Sequence, residues 1–347
     1  MLSTATFQNF TTVPNAEWTF AAGLNVIVGA NGLGKTHVLK ALYALLKVQS
    51  GKTVDLTKTA LENAYADKLV AVMRPESLGR LVKRRQGRER CEIRLSMRES
   101  ETSCAIGFAT NAKSQVEVVR APLAPLPLSP VYLPTRDLVT LCPWFVPLYD
   151  NYHLEFDETW RDTVSLLSAP TVKGAREKKV GRLLEPLEDV IGGTVVVDPQ
   201  SGRFYLQIPS EGRMEMPLVA DGLRKLAMLA RLISTGVLLE QGYLFWDEPE
   251  ANLNPKLIKT VAESILALAG NGIQVFIATH SLFLLRELEM LTSSKLYKVL
   301  PTRYFALKTD ATGIGLEQGD RVDDLQALVL LDEELAQSDR FLAWDEM

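Results

Sequence analysis

Apolar and polar positions divide the chain into two textures: a strict alternation of buried strands with amphipathic helices near both ends, and a mixed pattern between them. Within residues 3–28, TATFQNFTT and WTFAAGLNVIVG have the composition of strands, with Pro14 and Asn15 at the turn. Val38, Leu39, Leu42, Leu45 and Leu46 then recur at helical spacing, so the strand NVIVG hands over to a helix across a short glycine-rich stretch. From Lys52 to Arg90 the pattern is helical and increasingly basic. CEIRLSM, SCAIGFAT and QVEVVRA predict three strands of an antiparallel meander, and APLAPLPLSP reads as a connector.

After VYLPTRD, residues 137–190 carry Trp144, Trp160 and helically spaced leucines, which predict a helical lobe inserted into the α/β part. GTVVVD and RFYLQIP add two strands to it. The last third predicts a helix over 222–240, a strand over 243–247, a helix over 255–268, a strand over 273–279, a helix over 282–291 and a strand over 295–300. The expected fold is α/β with a mostly parallel core sheet. Its expected parts are an N-terminal section of the α/β lobe (1–135), the inserted lobe (136–220), a C-terminal section of the α/β lobe (221–300) and an acidic tail (301–347).

With 47% apolar residues the chain can bury a substantial core. No run is long and apolar enough for a membrane span and no secretory signal pattern begins it, so the expected location is the cytoplasm and no membrane partner is expected. Cys91, Cys104 and Cys142 have neither zinc-site spacing nor an even count, and read as reduced, buried residues. The net charge of −4 argues against a protein coated with positive charge. Arg74, Arg80, Lys83, Arg84, Arg85, Arg88 and Arg90 nevertheless form a basic cluster, and the residues from Glu317 onward are strongly acidic. The cluster reads either as a solvated helical face or as a phosphate-contacting patch; the acidic stretch, as a solvated helix with Leu325, Leu328 and Val329 inward.

Three segments carry chemistry. GANGLGKT fits the phosphate-loop pattern: backbone N–H groups of Gly29, Ala30, Asn31, Gly32, Leu33 and Gly34 cradle phosphates, Lys35 reaches the β and γ oxygens, and the Thr36 hydroxyl binds Mg²⁺, with His37 next in line. In GYLFWDEPEANLNP an apolar strand ends in Asp247, expected to hold the metal, and Glu248, expected to deprotonate the attacking water. IQVFIATHS runs another buried strand into His280, placed to hydrogen-bond the γ-phosphate or the water. Taken alone, each of the last two is also compatible with a surface carboxylate pair or a structural histidine. The implied cofactors are ATP and Mg²⁺.

The order phosphate loop, DGLRKL, WDEPEANLNP and ATHS resembles the ABC-type ATPase heads of the SMC, RecF and OLD group. Within it the chain is similar to compact bacterial AAA-labelled, OLD-like ATPases of phage-defence systems such as PARIS and Septu. That resemblance implies a homodimer closed over ATP, in which LVADGLRKLAML acts as a signature loop: Asp221 and Gly222, at a helix start, would cap the γ-phosphate bound by the opposite subunit. A plain helix cap is the competing reading. Ala220 stands where the signature serine is usual, with Arg224 or Lys225 as candidate substitutes. Asn254 replaces a usual Asp or His, and no glutamine follows VYLPTRD, where Arg136 stands instead. Trp18 and Phe20 are candidates to stack on adenine, although both suit a strand core better. The resemblance implies a sensor or switch ATPase controlling a separate effector, a nuclease or toxin, because too few residues follow His280 for a second catalytic domain. The alternatives are a RecF-like ATPase with DNA as partner, and a nucleotide-gated scaffold that scarcely hydrolyses.

Overall fold

The computed structural model describes residues 1–51, 54–83, 89–152, 154–171, 177–240, 242–310, 313–326 and 329–345. In chain order the strands are β1 (Leu2–Gln8), β2 (Ala16–Thr19), β3 (Leu24–Gly29), β4 (Arg90–Met97), β5 (Cys104–Ala109), β6 (Glu117–Arg120), β7 (Pro130–Leu133), β8 (Thr194–Val197), β9 (Phe204–Ile208), β10 (Gly212–Glu215), β11 (Tyr243–Asp247), β12 (Gln274–Thr279), β13 (Thr302–Asp310) and β14 (Gly313–Gly319). The helices are α1 (Lys35–Gln49), α2 (Lys58–Met73), α3 (Phe145–Tyr152), α4 (Glu158–Leu167), α5 (Glu177–Ile191), α6 (Asp221–Ser234), α7 (Pro255–Gly270), α8 (Leu282–Ser293) and α9 (Val329–Asp345).

A six-stranded sheet in the order β14-β13-β3-β12-β11-β7 forms the centre, parallel throughout except for β14. Both faces are covered, which is why β3, β11 and β12 read as unbroken apolar runs rather than as alternations. Along them the side chains divide by parity: Val26, Val28, Leu244, Trp246, Val275 and Ile277 enter the core under α6, α7 and α8. Ile27, Tyr243, Phe245, Phe276 and Ala278 enter the other core, shared with α1, α2 and a five-stranded antiparallel sheet, β2-β1-β4-β5-β6. The inserted segment holds α3, α4 and α5 and a small antiparallel sheet, β10-β9-β8.

Several expectations shift. WTFAAGLNVIVG is two strands in two sheets, because Ala21 to Gly23 interrupt the extended run between β2 and β3. The strand expected at 295–300 is a turn: Leu296 and Val299 are 77% and 90% exposed, and pairing begins at Thr302, after Pro301. The first residues read as an acidic tail therefore supply β13, which lies parallel beside β3, and β14. β10, unforeseen, is too short and polar to show an apolar period. The three cysteines are free and buried. No helix among the described residues is long and apolar enough to cross a membrane. Arg84, Arg85 and Arg88 of the basic cluster, and Leu328 of the acidic stretch, lie outside the described residues.

Because β3, β11 and β12 are parallel and in register, their carboxyl ends emerge at one edge, where strand ends meet helix starts.

Candidate nucleotide site

Between β3 and α1 the chain passes through Gly29, Gly32 and Gly34 with φ of 154°, 82° and 97°. A side chain on Gly34 would stand 2.9 Å from the Thr12 hydroxyl oxygen, so this turn needs glycine both for its conformation and for its closeness to the β1–β2 turn. Gly34 precedes Lys35 as the N-cap of α1, and no side chain caps the helix. The first amides of α1 thus keep their donors and the positive end of the helix dipole for a ligand. Lys35 is buried at the same place, its Nζ donating to the carbonyls of Gly29 (2.7 Å) and Ala30 (3.0 Å). Burial lowers its pKa, while the carboxylates of Glu248, Asp247 and Glu250 oppose that shift.

The Thr36 hydroxyl donates to Asp247 Oδ1 at 3.1 Å across 211 residues of sequence. Asp247 also accepts from the Tyr132 hydroxyl of β7 at 3.4 Å. Burial raises the Asp247 carboxyl above the ordinary range, partly countered by the bond from Thr36. Glu248 follows with φ +46°, a left-handed conformation unusual for a non-glycine residue, and its Oε1 lies 3.0 Å from His280 Nδ1. Lys35, Thr36, Asp247, Glu248 and His280 therefore gather at one sheet edge.

Glu250, which sequence reasoning passed over, closes the far side. Its buried carboxylate accepts from the Thr279 hydroxyl (2.6 Å) and the His280 amide (3.3 Å), leaving Oε2 without a partner among the described residues. The clue was its place two residues beyond Glu248. Tyr132 and the β1–β2 turn gave no such sign, since only folding carries them to the loop. His37 leaves the loop on its outer side, its Nδ1 2.9 Å from the Thr11 hydroxyl, and borders a cavity of about 510 Å³ with Thr12, Met73, Leu81 and Ile314. Trp18 and Phe20 are buried core residues, Trp18 tilted against Phe305 and Phe20 edge-on to Phe276.

Asp221 and Gly222 start α6, but Asp221 borders a different cavity, of about 370 Å³, with Arg136, Trp160, Arg224 and Asn252. Neither candidate substitute for the missing serine is free. Arg224 binds Asp137 (3.1 Å), the Val219 carbonyl (2.7 Å) and Asp221. Lys225 is buried, and its Nζ donates to the carbonyls of Glu248 and Ala251.

The donors present suit a magnesium nucleotide. Thr36 and Asp247 offer only oxygens, and among the described residues no cluster of three or more His, Cys, Asp or Glu side chains could cage a metal by itself. That is the donor set of an ion completed by phosphate and water rather than by protein.

The sequence model of the family described as "AAA domain, putative AbiEii toxin, Type IV TA system" matches residues 100–286. Among solved structures the chain is similar to an SMC head bound to the C-winged helix domain of ScpA, at a TM-score of 0.57 and 13% identity, covering 92% of this chain and 97% of that one. It is also similar to an Smc head domain with an extended coiled coil, bound to the C-terminal domain of ScpA derived from Pyrococcus furiosus: TM-score 0.52, 11% identity, 98% and 99% covered. At such identities the likeness establishes the fold, that of SMC-head P-loop ATPase domains.

Proposed function

The chain belongs to the AAA-domain family whose profile spans residues 100–286, and we propose from that premise that it binds ATP with Mg²⁺, hydrolyses it slowly and dimerises on it. In this reading the dimer is a cytoplasmic sensor and switch for a separate effector in anti-phage defence. The observation that carries the nucleotide part is the Thr36–Asp247 hydrogen bond, which joins the phosphate loop to the end of β11, with Glu248 and His280 paired beside it. The toxin–antitoxin wording of the family description, and the likeness of the motif order to OLD-like defence ATPases, support the switch part.

When ATP enters, Lys35 exchanges its two loop carbonyls for β and γ oxygens, and the uncapped amides of α1 close on the β-phosphate. Thr36 and Asp247 would hold Mg²⁺, whose charge would offset that developing on the transferred phosphoryl group. Glu248 takes the proton of the attacking water, and His280 fixes the direction of that carboxylate. The nucleobase lies in the cavity beside His37. Asp221 and Gly222 act on the partner's nucleotide.

Nucleotide binding by calorimetry and phosphate release, measured on the wild type, Lys35→Ala and Glu248→Gln, test this reading. Failure of the wild type to bind ATP, or hydrolysis indifferent to Glu248, would sink it.

A further inference from the structure

Lys225 is 2% exposed and lies on α6, one turn past its start, yet it forms no direct ion pair among the described contacts. Its ammonium is spent on two backbone carbonyls, those of Glu248 and Ala251. Burial lowers the pKa of this ammonium even though the carboxylates of Glu250, Glu248 and Asp247 favour its charged form, so burying it is a net cost that an apolar side chain of the same length would not bear. Stability alone therefore does not account for a lysine at this place.

What Lys225 holds is the turn that aims Glu248. That residue has a left-handed backbone, its amide donates to the Ala278 carbonyl (2.9 Å), and its own carbonyl accepts from the Ala251 amide (3.1 Å) as well as from Lys225. The same helix presses on the turn a second time, since a side chain on Gly222 would come within 2.8 Å of the Asn252 carbonyl oxygen. Asn252 is itself left-handed, at φ +62°. Two residues of α6 thus clamp a strained loop whose first member is the carboxylate beside His280.

We propose that Lys225 is a positioning residue for hydrolysis: through the Glu248 and Ala251 carbonyls it locks the turn after β11 so that the Glu248 carboxylate faces the attacking water, and it makes α6 and that carboxylate move as one piece. This rests on the reading of the site as an ATPase in which Glu248 activates water. If α6 also touches a partner's nucleotide, displacement of α6 is passed directly to Glu248 of its own chain.

The test compares wild type, Lys225→Met, Lys225→Gln and Glu248→Gln by melting, ATP affinity and steady-state hydrolysis. Lys225→Met is expected to melt at or above the wild-type temperature, bind ATP within about threefold, and lose kcat by roughly 10- to 100-fold, the scale of a misplaced reacting group. Lys225→Gln, which can still donate to one of the carbonyls, is expected to recover part of kcat. In the double variant Lys225→Met/Glu248→Gln, the lysine substitution should cost nothing further, since it acts through Glu248. Wild-type kcat in a well-folded Lys225→Met overturns the proposal, as does full additivity in the double variant. Absence of Glu248-dependent hydrolysis in the wild type overturns the ATPase reading instead, so the two failures are distinguishable. Should Lys225→Met not fold, Lys225→Gln carries the same comparison.

Discussion

Two helices of this protein begin at the segments proposed to meet nucleotide, and they begin in opposite ways. α1 opens from Gly34, with no capping side chain, into a loop whose glycines leave room for a phosphate chain. α6 opens from Ala220, equally without a side-chain cap, but its first turn is already occupied: Asp221 is held by Arg224, Gly222 abuts the Asn252 carbonyl, and Lys225 points inward. An open helix end can take an anion within its own chain. A helix whose side chains are committed to its own chain can act elsewhere only through its backbone and as a rigid piece, which suits a surface offered to a second subunit.

The sharpest way to break this contrast is to disable the open end. Lys35→Ala removes the cation that would meet the β and γ oxygens, and its ATP dissociation constant by calorimetry should rise by about 100-fold or more, the loss of a buried charge-assisted contact. Unchanged affinity would show that α1 is not where the triphosphate sits. Next in size, Glu248→Gln should keep ATP binding while kcat falls by about 10²-fold or more. Light scattering with ATP should then show a stable dimer of this variant, and a persistent monomer would deny α6 its role across an interface.

A smaller effect separates ligand-free stability from metal binding. Burial holds the Asp247 carboxyl above its unfolded pKa, so the folded chain binds the proton more tightly, and stability present at low pH is lost as pH rises through the folded pKa. At neutral pH the ionised carboxylate is therefore a cost in the absence of ligand. Asp247→Asn should raise the ligand-free melting temperature by about 2 °C while abolishing the further rise that Mg²⁺ and ATP give to the wild type. A lower ligand-free melting temperature, or an intact response to Mg²⁺, would count against it. Smallest of all, Ala220→Ser supplies the missing N-cap hydroxyl of α6. A gain of about 1 kcal/mol in unfolding free energy is expected, together with an ATP-dependent dimer a few-fold tighter; a gain in stability without one in dimerisation would make α6 an ordinary capped helix.

Much of this was legible in advance where local pattern and chemistry coincide. NVIVG, YLFWD and QVFIAT are apolar on both faces because both faces of the central sheet are covered, and each ends in the residues that gather at the site. Legibility failed where a segment's partner lies far away in the chain. Leu296 to Leu300 look like a strand but find no edge to pair with, while Thr302–Asp310, less uniformly apolar, finds β3. Arg224 and Lys225 looked equally free to reach outward, and only the packing of α6 on the turn after β11 directs the lysine inward. Tyr132 carries no motif, yet pairing of β7 with β11 puts its hydroxyl on Asp247.

The sequence by itself determined the glycine loop, the strands and helices that carry the site, and the carboxylates and imidazole at the strand ends, because these depend on backbone freedom, side-chain period and functional groups that reside in single residues or short runs. The tertiary structure alone decided which carbonyls Lys35 and Lys225 hold, that Glu250 and Tyr132 join the site, and that β13 and β14 complete the sheet. Those outcomes depend on distances between residues remote in the chain, and no local pattern encodes them.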